Sequence, residues 1–260
     1  MTDLEAALRS RRDGGGRAFV PYVTGGLAGV DADLLRGLED AGADAIEVGI
    51  PFSDPVMDGP VIQEASRRAL EDGATPLGVL ETIGGIGLEV PVAVMTYANP
   101  VWHAGHGAFL RACVSAGVSG VIVPDLPVDE ADGWTRACAD ASVASIFLAA
   151  PGSSDERLRA IGETSRGFVY CVATYGVTGA RDHLAGTAAD LVTRLRPKTD
   201  RPLLVGVGIA EPSHATEACA FADGVVVGSA LVRPLLEGEP AAALGLAAAF
   251  RAASHPPEHR

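Results

Sequence analysis

Residues 44–71 read DAIEVGIPFSDPVMDGPVIQEASRRALE. The stretch begins with a short apolar strand, predicted at 44–49, and ends with a helix, predicted at 61–71, whose apolar residues recur at helical spacing. A loop that contains three prolines joins the two. A strand, a loop and a helix in this order form one βα unit, and repeated βα units build a parallel sheet.

The same unit recurs along all 260 residues. The pattern predicts eight strands, at 18–24, 44–49, 91–97, 119–123, 145–149, 167–173, 202–206 and 223–227. Stretches with helical spacing lie between them, for example at 31–41, 108–115 and 155–162. The strands are apolar on both faces, as expected where helices cover a sheet. We therefore predict an α/β fold, a single-domain (β/α)8 TIM barrel, with a doubly wound open sheet as the alternative.

The two ends of the chain are predicted to lie outside the repeated units. Residues 2–12 form an extra N-terminal helix that closes the bottom of the barrel. The barrel domain spans 1–253, and 254–260 are expected to be a disordered C-terminal tail.

Composition excludes several classes of partner and site. The net charge of −13 argues against nucleic acid or an anionic membrane as the main partner. The four cysteines form no CxxC pair and no Cys/His cluster, so we expect reduced thiols, no metal site and a cytoplasmic location. The N-terminus lacks the pattern of a signal peptide, and no apolar run reaches the ~18 residues of a membrane helix.

Two connections between strands are longer than the others. The predicted strand starts at 44 and 91 lie 47 residues apart, and those at 167 and 202 lie 35 apart, whereas most spacings are 21 to 28. Extra length in the βα connections of a barrel falls on the face that carries active sites. We therefore expect extended functional loops after strands 2 and 6.

Carboxylates in and after strand 2 are the first candidates for chemistry. Alternation along the strand points Glu47 into the barrel, where partial burial would raise its pKa towards that of a general acid/base. The loop that follows adds Asp54 and Asp58. The structural alternatives are a Glu paired with an arginine, and Asp residues that cap helices or make Asx turns.

Glycines at the ends of strands 7 and 8 predict a phosphate site. Gly206–Ile209 and Gly228–Ser229 each precede a predicted helix, and backbone N–H groups at helix N-termini bind phosphate without a basic side chain. Loops 7 and 8 are the usual place for this site in a barrel. Loop 6 carries Gly176–Gly179, which suits a mobile lid or an ordinary flexible connection.

The remaining candidates are aromatic residues, one aspartate and one lysine. Tyr22, Tyr97 and Tyr170 lie on strands 1, 3 and 6, where they either line a planar apolar pocket or belong to the core. Asp125 follows strand 4 and either caps a helix or lies on the rim of the site. Lys198, the only lysine, precedes strand 7 on the opposite face, which makes a Schiff-base mechanism improbable.

The motifs together resemble the tryptophan synthase α subunit family. The match covers roughly residues 3–253, and its longest element is the strand-2 signature. The motifs that carry the resemblance are Glu47-Val48-Gly49-Ile50-Pro51-Phe52-Ser53-Asp54-Pro55, Asp58-Gly59-Pro60, Phe19-Val20-Pro21-Tyr22-Val23-Thr24, Tyr97-Ala98-Asn99-Pro100, Asp125-Leu126-Pro127, Gly176-Val177-Thr178-Gly179 and Gly228-Ser229.

The resemblance implies a retro-aldol cleavage of indole-3-glycerol phosphate to indole and glyceraldehyde 3-phosphate. It assigns Glu47 as general acid/base, Asp58 as the group that holds the indole N–H, and Tyr170 as support for Glu47. Further implied roles are phosphate binding by Gly179, Gly208, Gly228 and Ser229, closure of loop 6 with Thr178, and a loop 2 that faces a β subunit through Pro51, Asp54 and Pro55.

The resemblance also implies an α2β2 assembly, with pyridoxal phosphate only in the β subunit and no cofactor in this chain. Departures from the family pattern occur at Thr24–Ala28, Met57, Ala173–Tyr175 and Val207. They do not touch the two carboxylates, but they bear on lid closure and on signalling to a β subunit. The alternatives are a stand-alone lyase that releases free indole, a non-catalytic activator of a β subunit and, more distantly, a sugar-phosphate isomerase or epimerase.

Overall fold

A closed barrel of eight parallel strands forms the centre of the computed structural model. The structure describes residues 2–172, 181–206 and 208–255, without the side chains of 181–185. Strand β1 pairs with β8 as well as with β2, so the sheet has no free edge. The prediction of a TIM barrel is confirmed, and the open-sheet alternative is wrong.

The strands are short, and nearly all of their residues are buried. They run β1 (Ala18–Thr24), β2 (Ile46–Gly49), β3 (Val92–Met95), β4 (Val118–Ile122), β5 (Ala144–Ala149), β6 (Val169–Val172), β7 (Leu203–Gly206) and β8 (Gly224–Val227). Each predicted strand overlaps an observed one, and β1 has the predicted bounds. The other predictions differ from the observed bounds by a few residues: 44–49 begins two residues before β2, for example, whereas 145–149 begins one residue after the start of β5.

Twelve α-helices surround the barrel in the described part of the chain. They run α1 (Asp3–Asp13), α2 (Ala32–Asp40), α3 (Pro60–Glu71), α4 (Pro76–Gly84), α5 (Ala98–Ala104), α6 (His106–Ser115), α7 (Asp132–Asp140), α8 (Asp155–Thr164), α9 (Arg181–Leu195), α10 (Pro212–Cys219), α11 (Ser229–Leu236) and α12 (Pro240–Ala253). Two helices, rather than one, follow each of β2, β3 and β8. Among the described residues, no helix is long and apolar enough to span a membrane.

The long connection after β2 contains both an extended loop and an additional helix. Ile50–Gly59 forms the loop, and α3 and α4 follow it before β3. Part of the extra length therefore belongs to packed helix. Of the connection after β6, residues 173–180 lie outside the described residues, and α9 occupies most of the remainder.

Helix α1 closes the bottom of the barrel, as predicted. Leu4 is fully buried, and its side chain fills the space beside Gly120 and Gly167 that a Cβ atom would need. Glu5, also buried, accepts hydrogen bonds from Gly167 N and Arg9 Nε and pairs with Arg201. The helix is thus held by both apolar packing and a satisfied buried carboxylate.

The C-terminal residues pack against the same end of the barrel as far as they are described. Ser254 is fully buried and its hydroxyl donates to Phe250 O. The ring of His255 accepts from Arg17 N at 3.3 Å and contacts Arg11. These two residues of the expected tail therefore belong to the folded body, and 256–260 lie outside the described residues.

Candidate active site

A cavity of about 410 Å³ opens at the carboxyl ends of the barrel strands. This volume suits a small organic ligand. Apolar side chains from four strands, Met95, Ile122, Leu148 and Val226, form part of its lining. The ligand-sized space therefore lies on the face where TIM barrels carry their active sites.

Glu47 projects into this cavity from β2, as strand alternation predicts. The side chain is only 1% exposed, and neither carboxylate oxygen has a hydrogen-bond partner among the residues that the structure describes. Burial, reinforced by the charge of Asp58, raises the pKa of Glu47 to about 8. The sequence left open that Glu47 pairs with an arginine, but no described arginine pairs with it.

The contrast with Glu5 shows why Glu47 is unusual. Both are buried glutamates, but Glu5 at the bottom of the barrel is paired with two arginines, whereas Glu47 at the top lacks a described partner. Leaving a buried polar group unpaired costs stability unless a ligand or a proton satisfies it. A carboxyl group in this state is suited to proton transfer near neutral pH.

Asp58 reaches the same cavity from the end of the loop after β2. It is partly buried, which raises its pKa to about 6, while a hydrogen bond from Tyr97 opposes that rise. The loop is fixed near this point, because Met57 N donates to Tyr97 Oη at 2.9 Å and the ring of Phe52 stacks on that of Tyr97 with centroids 5.1 Å apart. Tyr97 therefore holds the loop and the carboxylate together.

Two tyrosines among the described residues line the cavity, and each occupies space next to a glycine on a neighbouring strand. A Cβ atom at Gly49 would lie 2.0 Å from Tyr22 Oη, and one at Gly206 would lie 2.3 Å from Tyr170 Oη. Tyr22 is fully buried, and burial followed by the charge of Asp58 raises its pKa. Gly49 and Gly206 thus decide where the two rings lie.

The glycines after β7 and β8 both line the cavity, but they lie at different distances from the helix that follows. Gly228 precedes α11, whose first residue is Ser229, and no side chain caps this helix, so its first N–H groups are open to an anion. Gly208, with a φ of 101°, also lines the cavity. A helix follows this strand end as expected: α10 begins at Pro212, four residues after Gly208, and its N-cap Glu211 makes no side-chain hydrogen bond to it.

The remaining predicted residues lie either around the rim of the cavity or outside the described residues. Asp125 Oδ1 accepts from Ala98 N at 2.9 Å, so it caps α5, the helix after the neighbouring strand. Asp54 is exposed and bonded to the hydroxyl of Ser53. Thr178 and Gly179 lie outside the described residues, as does Val207.

Lys198 lies in a short 3₁₀ turn before β7, on the face opposite the cavity. Its Nζ donates to Arg194 O at 2.9 Å. The predicted placement is confirmed, so no described lysine reaches the cavity. No group of three or more His, Cys, Asp or Glu among the described residues could hold a metal ion.

Sequence reasoning missed one charged residue of the cavity, Arg233. It is the only basic side chain among the described lining residues, and it lies one helical turn after Ser229 on α11. The spacing of four residues places both on one helix face, a signal that the sequence contained. The apolar lining residues were also missed, because a strand sequence does not show how far along the barrel each residue lies.

Comparison with known proteins agrees with this geometry. The family model described as tryptophan synthase alpha chain matches residues 8–252. The tryptophan synthase alpha chain of Rippkaea orientalis is 41% identical over 255 residues, covering 96% of each chain, and that of Gloeobacter violaceus is 43% identical over 250 residues, covering 94% of this chain and 90% of its own.

Solved structures give the same result. A chain from the ligand-free form of a mutant tryptophan synthase from M. tuberculosis superposes with a TM-score of 0.87 at 37% identity, covering 98% of this chain and 99% of that one. Tryptophan synthase subunit alpha from Legionella pneumophila superposes with a TM-score of 0.88 at 32% identity and covers 98% of both chains. The chain belongs to the tryptophan synthase alpha chain family.

Proposed function

We propose that this chain cleaves indole-3-glycerol phosphate to indole and glyceraldehyde 3-phosphate with two carboxyl groups, Glu47 and Asp58. The chain is a carbon–carbon lyase of the tryptophan synthase class. The observation that carries the assignment of residues is the buried carboxyl group of Glu47, which faces a ligand-sized cavity without a described partner.

Glu47 moves the proton on which the bond cleavage depends. Its carboxyl group, protonated below about pH 8, donates a proton to C3 of the indole ring. The bond between C3 and the glycerol carbon then breaks, and its electron pair returns to the ring. The hydroxyl on that carbon becomes the aldehyde, and its proton goes back to the Glu47 carboxylate, so that the group ends the cycle as it began.

Asp58 stabilises the charge that this protonation creates. Protonation at C3 leaves positive charge on the ring nitrogen, and an ionised carboxylate that accepts the N–H bond is stabilising in a partly desolvated site. With a pKa of about 6, Asp58 is ionised at neutral pH while Glu47 is still protonated. The two environments thus give two carboxyl groups different roles.

The rest of the cavity positions the substrate. The N–H groups at the start of α11, with Gly228 and Ser229, and the backbone at Gly208 bind the phosphate. Tyr22 and the apolar lining enclose the indole ring, and Tyr170 supports Glu47. We assign Gly179 and Thr178 to the phosphate site and the lid, as in the family resemblance.

A Glu47→Gln variant tests the assignment. The amide has nearly the same shape but carries no transferable proton, so kcat for indole release should fall by about 10²- to 10⁴-fold. Binding of glycerol 3-phosphate, which needs only the phosphate site, should stay within about twofold, as should activity in the control Glu64→Gln on the exposed face of α3. Near-normal turnover by Glu47→Gln would refute the role given to this residue.

The loop after β2 is the surface we assign to the β subunit. Val56 and Met57 are 79% and 55% exposed, which is unusual for large apolar side chains. On the same loop Asp54 is exposed and Pro55 half-buried, whereas Pro51 is buried and shapes the loop from beneath this surface. We propose an α2β2 assembly in which indole passes to the β subunit. Indole release measured with and without a β subunit separates this from a stand-alone lyase, for which the rate would not change.

Cofactor chemistry belongs to that partner in this proposal. Pyridoxal phosphate is held by a lysine Schiff base, and the single lysine of this chain lies at the opposite end of the barrel. The four cysteines are all buried thiols, which supports a reducing compartment, the cytoplasm, for the reaction.

A further inference from the structure

The proposed substrate carries a negatively charged phosphate, and the cavity that would bind it is itself lined by acidic side chains. Among the described lining residues the carboxylic acids are Glu47 and Asp58, and the whole chain has a net charge of −13. With Asp58 ionised, a phosphate dianion enters a site that already carries negative charge. Helix N-termini supply only about half a positive charge each, and that effect falls off within one turn.

Arg233 is the one cationic group that the described lining offers against this charge. It is the fifth residue of α11, one turn beyond Ser229, and helical side chains point back towards the N-terminus of their helix. This direction takes the guanidinium towards the end of the helix that Gly228 and Ser229 present to the cavity.

The guanidinium of Arg233 also has no hydrogen-bond or ion-pair partner within the described part of the chain. Several other arginines of the described structure are paired with carboxylates, as Arg196 is with Asp223 and Arg251 with Asp44. Arg233 is exposed and makes no ion pair or hydrogen bond with any residue that the structure describes. An arginine that lines a binding cavity without a partner can meet a phosphate with two parallel N–H bonds.

We propose that Arg233 binds the phosphate group of the substrate and gives the site its selectivity for a phosphorylated ligand. This inference rests on the proposed function for the identity of the substrate. It adds a side-chain cation to a phosphate site that the sequence had suggested would need only backbone N–H groups.

The test compares Arg233→Ala with Arg111→Ala. Arg111 is exposed on α6 and does not line the cavity, so both variants lose one positive charge but only one loses it beside the ligand. For Arg233→Ala we expect binding of glycerol 3-phosphate to weaken by about 10-fold or more and KM for indole-3-glycerol phosphate to rise similarly. The kcat should stay within about twofold, because the proton transfers occur at Glu47.

Two further measurements separate a phosphate contact from a structural effect. Binding of indole, which has no phosphate, should be unchanged in Arg233→Ala. Arg233→Lys keeps the charge but not the two parallel N–H bonds, so it should recover part of the affinity for glycerol 3-phosphate. Binding by the wild type should also weaken with added salt more steeply than binding by Arg233→Ala. The proposal is overturned if Arg233→Ala binds glycerol 3-phosphate as tightly as Arg111→Ala, or if the lysine variant recovers nothing.

Failure of this inference can be told apart from failure of the proposed function. If the wild type releases indole but Arg233→Ala behaves like the control, only the role of Arg233 is wrong. If the wild type releases no indole with or without a β subunit, the proposed function is wrong, and the binding of glycerol 3-phosphate still decides whether Arg233 contacts phosphate.

Discussion

Glu47 and Asp58 are both carboxylic acids that line one cavity, but their surroundings differ. Glu47 is buried without a described partner, and its pKa is about 8. Asp58 is only partly buried and is bonded by Tyr97, so its pKa of about 6 is lower. The difference places the proton on Glu47 and the charge on Asp58 at neutral pH, which is the distribution that the proposed cleavage needs.

The dependence of kcat/KM on pH should therefore be bell-shaped. Activity falls as the pH drops through about 6, because Asp58 becomes protonated and no longer stabilises the ring cation. It falls again as the pH rises through about 8, because Glu47 loses the proton it must donate. Initial rates of indole release from pH 5 to pH 9 measure both limbs.

A control variant tests the fall in activity at acid pH. An Asp58→Asn variant cannot titrate at this position, so its residual activity should show no decline between pH 7 and pH 5. A wild-type profile that stays flat across the whole range would contradict both assignments.

At the scale of the strands, glycines position the aromatic side chains. Gly206 on β7 leaves the space that the ring of Tyr170 on β6 occupies, and Gly49 does the same for Tyr22. A substitution at either glycine would act on the site through a tyrosine, without altering a polar group.

A Gly206→Ala variant should lose both stability and activity. The new methyl group would lie 2.3 Å from the ring of Tyr170, so either the ring or the strand must shift, at about 1 to 3 kcal/mol in the free energy of unfolding. The kcat/KM should fall because Tyr170 leaves its place beside the substrate. Urea unfolding and steady-state kinetics measure the two effects.

Gly245→Ala on α12 is the matched control. A Cβ atom there meets nothing within 4 Å, and the position is helical and exposed. Alanine should therefore raise stability by about 0.5 to 1 kcal/mol and leave kinetics unchanged. Equal effects of the two substitutions would show that Gly206 has no special role in placing Tyr170.

Across the whole molecule, charged groups are arranged differently at the two ends of the barrel. At the bottom, Glu5, Asp44 and Asp223 are each paired with arginine, and Asp223 also accepts from Leu203 N at 2.8 Å. At the top, Glu47 has no described partner. We therefore expect the bottom to serve stability and the top to serve the proposed chemistry, as is usual for this architecture.

A Glu5→Ala variant tests whether the bottom of the barrel affects stability without affecting catalysis. It leaves Arg201 and Gly167 N without their buried acceptor, so we expect a loss of about 3 to 5 kcal/mol in the free energy of unfolding. The kcat/KM at a temperature where the variant is folded should match that of the wild type, because the cavity lies at the other end. A large change in kcat/KM with the fold intact would contradict this division.

Much of the architecture could be predicted from the sequence because strand and helix signals are local. Alternation and βα order predicted eight strands, the closing helix α1 and the inward direction of Glu47, all of which the structure confirms. The order of motifs was sufficient for the family resemblance. These properties depend on residue type and spacing along the chain, which a single sequence contains.

Only the tertiary structure decided which side chains share the cavity and which remain unpaired. Arg233 lines the same cavity as Glu47 and Asp58, and the ring of Tyr170 fits against Gly206, although these residues are distant in the chain. Strand pairing sets these positions: β1 pairs with β8, and α11 packs against β1 and against α3, the helix that follows the loop carrying Asp58, whereas the pairing of β6 with β7 sets Tyr170 beside Gly206. Pairing partners and burial are properties of that closed packing, and burial in turn raises the pKa of Glu47.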